Sequence, residues 1–246
     1  MSLKNESRHS AWVRVSHGLI TMSFLTLALT GIYILMVHPR LYWGEVGNDL
    51  TPAFIELPIS RNYQHNGWDN KIAFFNRSDS PISASRTFDI FNENGWGRSL
   101  HFLSAWVLVI TGLIYLVLGL ATRHFRRRML PEKRSASFRQ LWSELVDHIR
   151  VPWSVSDGRQ YNLLQRISYL AIIFVAMPLA IMTGFAMSPA IGAAFPWIVS
   201  MWGGTQSART IHFFASIALE LFLIVHLIMI ILTGFKQNIK AIIVGK

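Results

Sequence analysis

RTIHFFASIALELFLIVHLIMIILTG, residues 209–234, is the stretch that decides the fold. It is apolar along almost its whole length, and it contains two histidines, His212 and His226. A helix of about 20 apolar residues is enough to cross a hydrocarbon core about 30 Å thick. The stretch therefore predicts a transmembrane helix that carries two histidines inside the membrane.

The spacing of these two histidines predicts that they share one face of the helix. They are 14 residues apart, which corresponds to about 21 Å along the axis at about 1.5 Å per residue. The same spacing falls only about 40° short of four full turns. Both imidazoles can therefore face the interior of one bundle, one towards each side of the membrane.

Three further apolar runs, residues 12–37, 98–121 and 163–187, also have the length of membrane spans. Charged residues make up only 15% of the 246 residues, against about 25% in soluble domains. We predict an all-α integral membrane protein, a four-helix transmembrane bundle that forms a single domain over residues 1–246. The first run is too long for a secretory signal and lacks a cleavage site after it, so we expect it to be retained.

The net charge of +10 is distributed unevenly between the connecting segments. Residues 122–162 contain nine basic and four acidic residues, residues 38–95 contain five basic and seven acidic residues, and residues 188–208 contain no charge. The positive-inside rule then predicts that both termini and the basic 122–162 loop are cytoplasmic and that the long 38–95 loop is outside. Because topology accounts for the basic charge, we expect no nucleic-acid partner.

This topology pairs four histidines by depth. His17 and His226 lie towards the cytoplasmic side, whereas His101 and His212 lie one turn inside the outer ends of their helices. A buried imidazole in lipid is costly without a partner, and haem iron is such a partner. The pattern predicts two haems with His17–His226 and His101–His212 as iron ligands. A proton path, a non-haem metal site, or ordinary hydrogen-bonded packing of each histidine are the alternatives.

The chain has no cysteine. Covalent haem attachment through a C-x-x-C-H motif is therefore excluded, and both haems are expected to be non-covalent haem b. Three of the four candidate ligands follow an arginine by three residues: Arg14, Arg98 and Arg209. An arginine one turn nearer the membrane surface could pair with a haem propionate. Snorkelling of these arginines to lipid headgroups is the alternative.

A Thr-Gly dipeptide occurs once in each predicted span: Thr30-Gly31, Thr111-Gly112, Thr183-Gly184 and Thr233-Gly234. Glycine allows close approach either of a flat macrocycle or of a neighbouring helix, and the sequence does not separate the two uses. Pro178 predicts a kink in the third span. Glu220, the only acid in the spans, is interpreted as either a proton relay or a neutral hydrogen-bonded acid.

The entry to the third span contains candidate quinone ligands. Asn162 and Gln165 are one turn apart and can present their amides together beside Tyr161, close in depth to His17 and His226. An N-cap and an interfacial belt are the alternative interpretation. Just before this entry, residues 138–149 have an apolar face, which predicts an amphipathic helix on the lipid surface.

The chain resembles the bacterial cytochrome b561 and nickel-iron hydrogenase b-type cytochrome group, which includes thiosulfate reductase cytochrome b subunits and formate dehydrogenase gamma subunits. The resemblance covers nearly the whole bundle. The motifs that carry it are Arg14-Val-Ser-His17, Arg98-Ser-Leu-His101-Phe102, Tyr161-Asn-Leu-Leu-Gln-Arg166, and Ala208-Arg-Thr-Ile-His212 followed by His226.

The resemblance implies the same two histidine pairs and a quinone site lined by Asn162 and Gln165. It also implies location in the bacterial inner membrane. The stretch His38–Gly44 and the Trp202–Gly204 turn look most like members that serve periplasmic molybdopterin oxidoreductases. The expected function is therefore electron transfer between a periplasmic catalytic oxidoreductase and the membrane quinone pool, ubiquinone or menaquinone.

Other functional classes stay open at this point. A stand-alone enzyme similar to the superoxide-oxidising b561 proteins would be active without a partner. A proton or ion transporter lined by histidines and Glu220 would contain no haem, and its flux would depend on pH near the histidine pKa. A zinc or copper site is disfavoured because each histidine pair alone provides only two ligands.

Overall fold

A computed structural model of the chain describes residues 10–48, 51–59, 94–126, 130, 142–143, 146 and 163–245. Within these ranges it contains four helices that are long and apolar enough to cross a membrane. This finding confirms the predicted all-α integral membrane class. The four spans are Ala11–Val37, Trp96–Ala121, Leu163–Met187 and Thr205–Leu232.

The elements follow the predicted order, with two short strands in the first long loop. In chain order they are α1 (Ala11–Val37), β1 (Arg40–Leu41), β2 (Ile55–Glu56), α2 (Asn94–Ala121), α3 (Leu163–Ala171), a π-helical segment (Ile172–Ala176), α4 (Met177–Met187), α5 (Pro189–Ala194), α6 (Pro196–Ser200), α7 (Thr205–Leu232) and α8 (Phe235–Ile243). The strands pair antiparallel, with Arg40 opposite Glu56 and Leu41 opposite Ile55.

Proline 178 disturbs the third span without ending it. Its ring nitrogen has no hydrogen to donate to the carbonyl of Phe174, and its ring would clash with that carbonyl in an α-helix. The backbone just before it takes the wider π form over Ile172–Ala176, where the Met177 N–H bonds to the Ile172 carbonyl. The distortion expected at this proline therefore takes the form of a short π-helical segment within the span.

The last span begins earlier and ends earlier than the sequence pattern predicts. It begins at Thr205 because the Gly44 carbonyl accepts the N–H groups of Gln206 and Ser207, at 3.0 and 3.2 Å, where a helix has no partners of its own. It ends at Leu232, and Gly234 then adopts a φ of +111° before α8 begins. Glycine takes this conformation at little steric cost.

The chain forms two compact units. The first comprises Met1–Ile20, Ile110–Pro178 and Ala218–Lys246, and the second comprises Thr21–Val109 and Leu179–Ile217. In the first unit, the ring of Phe125 packs edge-on against those of Tyr115 and Phe174. In the second unit, Ala186, Ile198 and Ala208 form a buried apolar cluster.

The segment after α1 folds back onto the start of α7 within the second unit. Leu41 is fully buried there. The Thr210 hydroxyl donates to the Tyr42 carbonyl at 2.6 Å, and the Gly44 N–H donates to Ser207 Oγ at 2.7 Å. These bonds dock the loop on the helix that carries His212.

Gly204 makes this docking possible. Its φ is +119°, and a Cβ atom at this position would collide with the carbonyl of Gly44. We expect Gly204→Ala to destabilise the fold by about 1 to 3 kcal/mol, since the strained backbone and the collision act together. Thermal unfolding of the purified protein in detergent measures the effect.

Gly112→Ala is the matched control, because a Cβ atom there meets nothing within 4 Å. Alanine in a helix interior is neutral or stabilising by up to about 1 kcal/mol relative to glycine. Equal melting temperatures for the two variants would contradict the proposed role of Gly204.

Candidate cofactor site

Two of the predicted ligands, His101 on α2 and His212 on α7, face each other in the second unit. Their ring centroids are 6.5 Å apart, and the ring planes make an angle of 65°. Both side chains are half-buried. The structure therefore brings this predicted pair together.

The Nδ1 atoms of both rings are engaged by neighbouring helices. Nδ1 of His101 lies 2.9 Å from Oγ1 of Thr30 on α1. Nδ1 of His212 lies 3.1 Å from Oγ1 of Thr183 on α4 and 2.9 Å from the Ala180 carbonyl oxygen. With Nδ1 occupied, Nε2 is the ring nitrogen left for a metal ion.

The ring separation fits one metal ion between the two histidines. A metal–imidazole bond is about 2 Å long and the nitrogen lies about 1 Å from its ring centre, so two imidazoles on opposite sides of one metal have centroids about 6 Å apart. The observed 6.5 Å is close to this value. The described residues contain no group of three or more His, Cys, Asp or Glu suited to a metal ion. Haem needs only two axial ligands from the protein, so the pair suits haem better than tetrahedral zinc.

The other predicted pair lies in the first unit. His17 on α1 and His226 on α7 both belong to this unit. The His226 ring stacks on Phe222, with centroids 5.8 Å apart and planes within 13°, and Tyr169 meets it edge-on at 6.1 Å. These aromatic rings provide an apolar wall beside the histidine.

The three predicted propionate partners occupy different environments. The Arg209 guanidinium is half-buried and donates to the His38 carbonyl, which is a backbone partner and not a carboxylate. Arg14 Nη1 donates to the Ile243 carbonyl at 3.3 Å, while Arg98 is exposed. Their propionate role stays a prediction.

Two tryptophans that the sequence pattern does not mark as propionate partners are also candidate donors. Within the described part of the chain, the buried Nε1 atoms of Trp96 and Trp202 and the Nε atom of Arg14 have no hydrogen-bond partner. Buried donors are normally paired, so orphaned donors suit a ligand that carries acceptor groups, as haem propionates do. The local sequence does not show that these donors are buried, since burial depends on the whole fold.

The predicted quinone residues are only partly described. Gln165 is half-buried in the first turn of α3, and neighbouring Arg166 donates to the Leu130 carbonyl at 3.3 Å. Tyr161 and Asn162 lie outside the described residues, as does most of the predicted amphipathic helix at 138–149. Glu220 is half-buried on α7.

The four Thr-Gly dipeptides separate into two kinds. Thr30 and Thr183 contact the histidines described above, whereas Thr233 donates to the Met229 carbonyl at 2.6 Å and is followed by the turn at Gly234. A Cβ atom on Gly112 would meet nothing. The sequence pattern identifies all four dipeptides, but it does not show which of their threonines contact a histidine.

The chain is similar to known proteins over most of its length. The family model described as prokaryotic cytochrome b561 matches residues 8–245. A candidate protein-methionine-sulfoxide reductase subunit named YedZ1, from Azospira oryzae, is 25% identical over 94% of this chain and 94% of its own length. No solved structure matches the chain significantly.

Two other relatives cover less of the chain. Both are named as probable Ni/Fe-hydrogenase B-type cytochrome subunits. The protein from Azotobacter vinelandii is 23% identical over 61% of this chain and 68% of its own length. The protein from Cupriavidus necator is 27% identical over 54% of this chain and 58% of its own length.

Proposed function

The chain belongs to the prokaryotic cytochrome b561 family, and from this premise we propose that it is a di-haem membrane subunit that transfers electrons between a periplasmic oxidoreductase and quinone. Membership of the family implies a b-type haem and electron transport in a membrane. Three points go beyond family membership and are proposed here. The chain holds two haems, it exchanges electrons with quinone, and its oxidoreductase partner lies on the periplasmic side.

The observation that carries the proposal is the facing pair His101 and His212, with ring centroids 6.5 Å apart. These two residues would hold one haem, and His17 and His226 would hold the other. Bound haem supplies a one-electron carrier, because its iron is stable in both the ferrous and the ferric state. The protein would contribute the histidine ligands, their hydrogen bonds and the apolar surroundings that tune the potential.

Burial near the His101–His212 pair supports the role of this site. Thr30 and Thr183, which contact the two rings, have 0% exposure. Water therefore does not compete for their hydroxyl groups. In the His17–His226 pair, the rings of Phe222 and Tyr169 pack against the His226 ring and give it apolar surroundings.

A catalytic partner is supported by the relatives, which are named as subunits of a methionine-sulfoxide reductase and of hydrogenases. We place the partner on the 38–95 loop, which the positive-inside rule puts in the periplasm, with both termini in the cytoplasm. In the described part of this loop Trp43 and Phe54 are exposed, with ring centroids 6.2 Å apart. Exposed aromatic side chains are common at protein interfaces.

The test is a reduced-minus-oxidised spectrum of the purified chain combined with a pyridine haemochrome assay. Two b-type haems per chain are expected. One haem per chain would remove one histidine pair from the proposal. A folded protein without haem would overturn it in favour of a transporter lined by histidines and Glu220.

The quinone site gives a separate prediction. Changing Gln165 to alanine is expected to slow haem reduction by a soluble quinol about tenfold or more while both haem spectra stay unchanged, because the amide would hold a quinone carbonyl. Stopped-flow spectroscopy measures the rate. Gln237→Ala, at an exposed position of α8, is the matched control. An unchanged rate in the Gln165 variant would mean that the quinone binds elsewhere.

A further inference from the structure

Both histidines of the second unit are held by the same local arrangement on two different helices. The Nδ1 atom of each ring lies within hydrogen-bond distance of the hydroxyl of a threonine that is followed by a glycine. The threonine is Thr30 on α1 for His101 and Thr183 on α4 for His212, and the Ala180 carbonyl is a further acceptor for His212. The repetition indicates that the contact has a purpose beyond general helix packing.

The threonine proton decides the direction of the hydrogen bond. Each hydroxyl has one proton, and each is placed to donate it within its own helix: Thr30 to the Thr26 carbonyl and Thr183 to the Leu179 carbonyl, both at 2.7 Å. Towards the imidazole the hydroxyl oxygen must then accept. The Nδ1 atom is therefore the donor, which leaves the lone pair on Nε2.

The glycine after each threonine keeps space for the ring. A Cβ atom on Gly31 would lie 3.7 Å from Cε1 of His101, and a Cβ atom on Gly184 would lie 3.5 Å from Cε1 of His212. These are ordinary van der Waals distances, so each imidazole edge rests against a glycine. A methyl group would therefore fit beside each ring, whereas side-chain atoms beyond Cβ would compete with the imidazole for this space.

Resting on the proposed function, we propose that Thr30 and Thr183 are positioning residues for the iron ligands. They select the tautomer in which Nε2 faces the iron, and they polarise the Nδ1–H bond so that each imidazole becomes a stronger donor. Partners of this kind orient the ligand and raise its basicity, and their loss typically costs 10- to 100-fold in metal affinity. A stronger imidazole donor favours ferric iron and lowers the reduction potential of the haem between the two histidines.

The test compares Thr30→Val, Thr183→Val and the double variant with Thr30→Ser and Thr183→Ser, which keep the hydroxyl. The readouts are the midpoint potential of each haem by redox titration and the rate of haem transfer to apomyoglobin. Each valine variant is expected to raise the potential of the His101–His212 haem and to speed its loss about tenfold, since the loss of such a partner typically costs 10- to 100-fold in metal affinity. The double variant should lose haem about 100-fold faster if the two effects add. The serine variants should behave like the parent protein.

Thr111→Val is the matched control, since Thr111 is a buried threonine followed by glycine and the glycine faces open space. The second haem is an internal reference for correct folding, and its potential should not change. A potential and loss rate equal to those of the Thr111 variant would overturn the inference.

The His101→Ala variant shows whether an unexpected result contradicts only the positioning role of the threonines or also the proposed function. If this variant loses one haem while the valine variants resemble Thr111→Val, only the positioning role is wrong. If His101→Ala keeps every haem that the parent protein holds, the assignment of this pair as iron ligands is wrong, and the proposed function fails with it.

Discussion

Replacing His212 by alanine is expected to remove one b-type haem from each chain and to leave the other in place. His212 faces His101 at 6.5 Å, and loss of either imidazole leaves the iron with one axial ligand from the protein. The methyl group of alanine also leaves a void beside Gly184, whose position lies against the ring. Electron transfer through the full subunit should fall on the order of 100-fold or more, since even outer-shell partners are worth 10- to 100-fold.

The measurement is the haem content per chain together with the spectrum of the haem that remains. His38→Ala is the matched control, because the His38 side chain is exposed and its backbone carbonyl still accepts the Arg209 hydrogen bond. His212→Met gives a second readout, since methionine also ligates haem iron and raises its potential. Loss of both haems from a monodisperse His212→Ala protein would contradict two independent sites.

Replacing His226 by alanine is expected to remove the other haem and to slow the reduction of the chain by quinol. The proposed quinone residue Gln165 lies in the same unit as His226, His17 and the stacked Phe222. We therefore expect quinol to reduce the His212→Ala protein at the parent rate but the His226→Ala protein on the order of 100-fold more slowly. Stopped-flow reduction by a soluble quinol distinguishes the two variants.

Double variants test the pairing itself. His17→Ala combined with His226→Ala should remove one haem, whereas His17→Ala combined with His212→Ala should remove both. His124→Ala is the matched control in this unit, because the His124 ring packs edge-on against Trp12 and Tyr115 and we assign it no ligand role. If the two double variants retain the same number of haems, the depth pairing is wrong.

The spans and the candidate histidine ligands could be predicted from sequence because both depend on local pattern. A run of apolar residues predicts a membrane helix wherever it occurs, and a spacing of 14 residues predicts the rotation between His212 and His226 along α7 without knowledge of any neighbour. The structure brings His101 to His212, and His17 and His226 belong to one unit. Both pairs follow from helix direction and depth.

The environment of the arginines could not be predicted in this way. The spacing of three residues places Arg209 one turn from His212, yet the guanidinium donates to the His38 carbonyl, 171 residues away in the chain. The start of α7 likewise depends on the distant Gly44 carbonyl. A helix has unpaired N–H groups at its start, but the chain segment that provides their acceptors is a property of the whole fold.

For this protein the sequence by itself determined the membrane class, the four spans, the absence of thiol ligands and the candidate histidines. These features depend on composition and on the period of a helix, which are local. Only the tertiary structure decided that Thr30 and Thr183, and not Thr233, contact a histidine, and that Trp96 and Trp202 keep buried donors without partners in the described part of the chain. The physical reason is that hydrogen bonds and burial between helices depend on how residues distant in the chain approach one another, and a dipeptide such as Thr-Gly looks the same wherever it occurs.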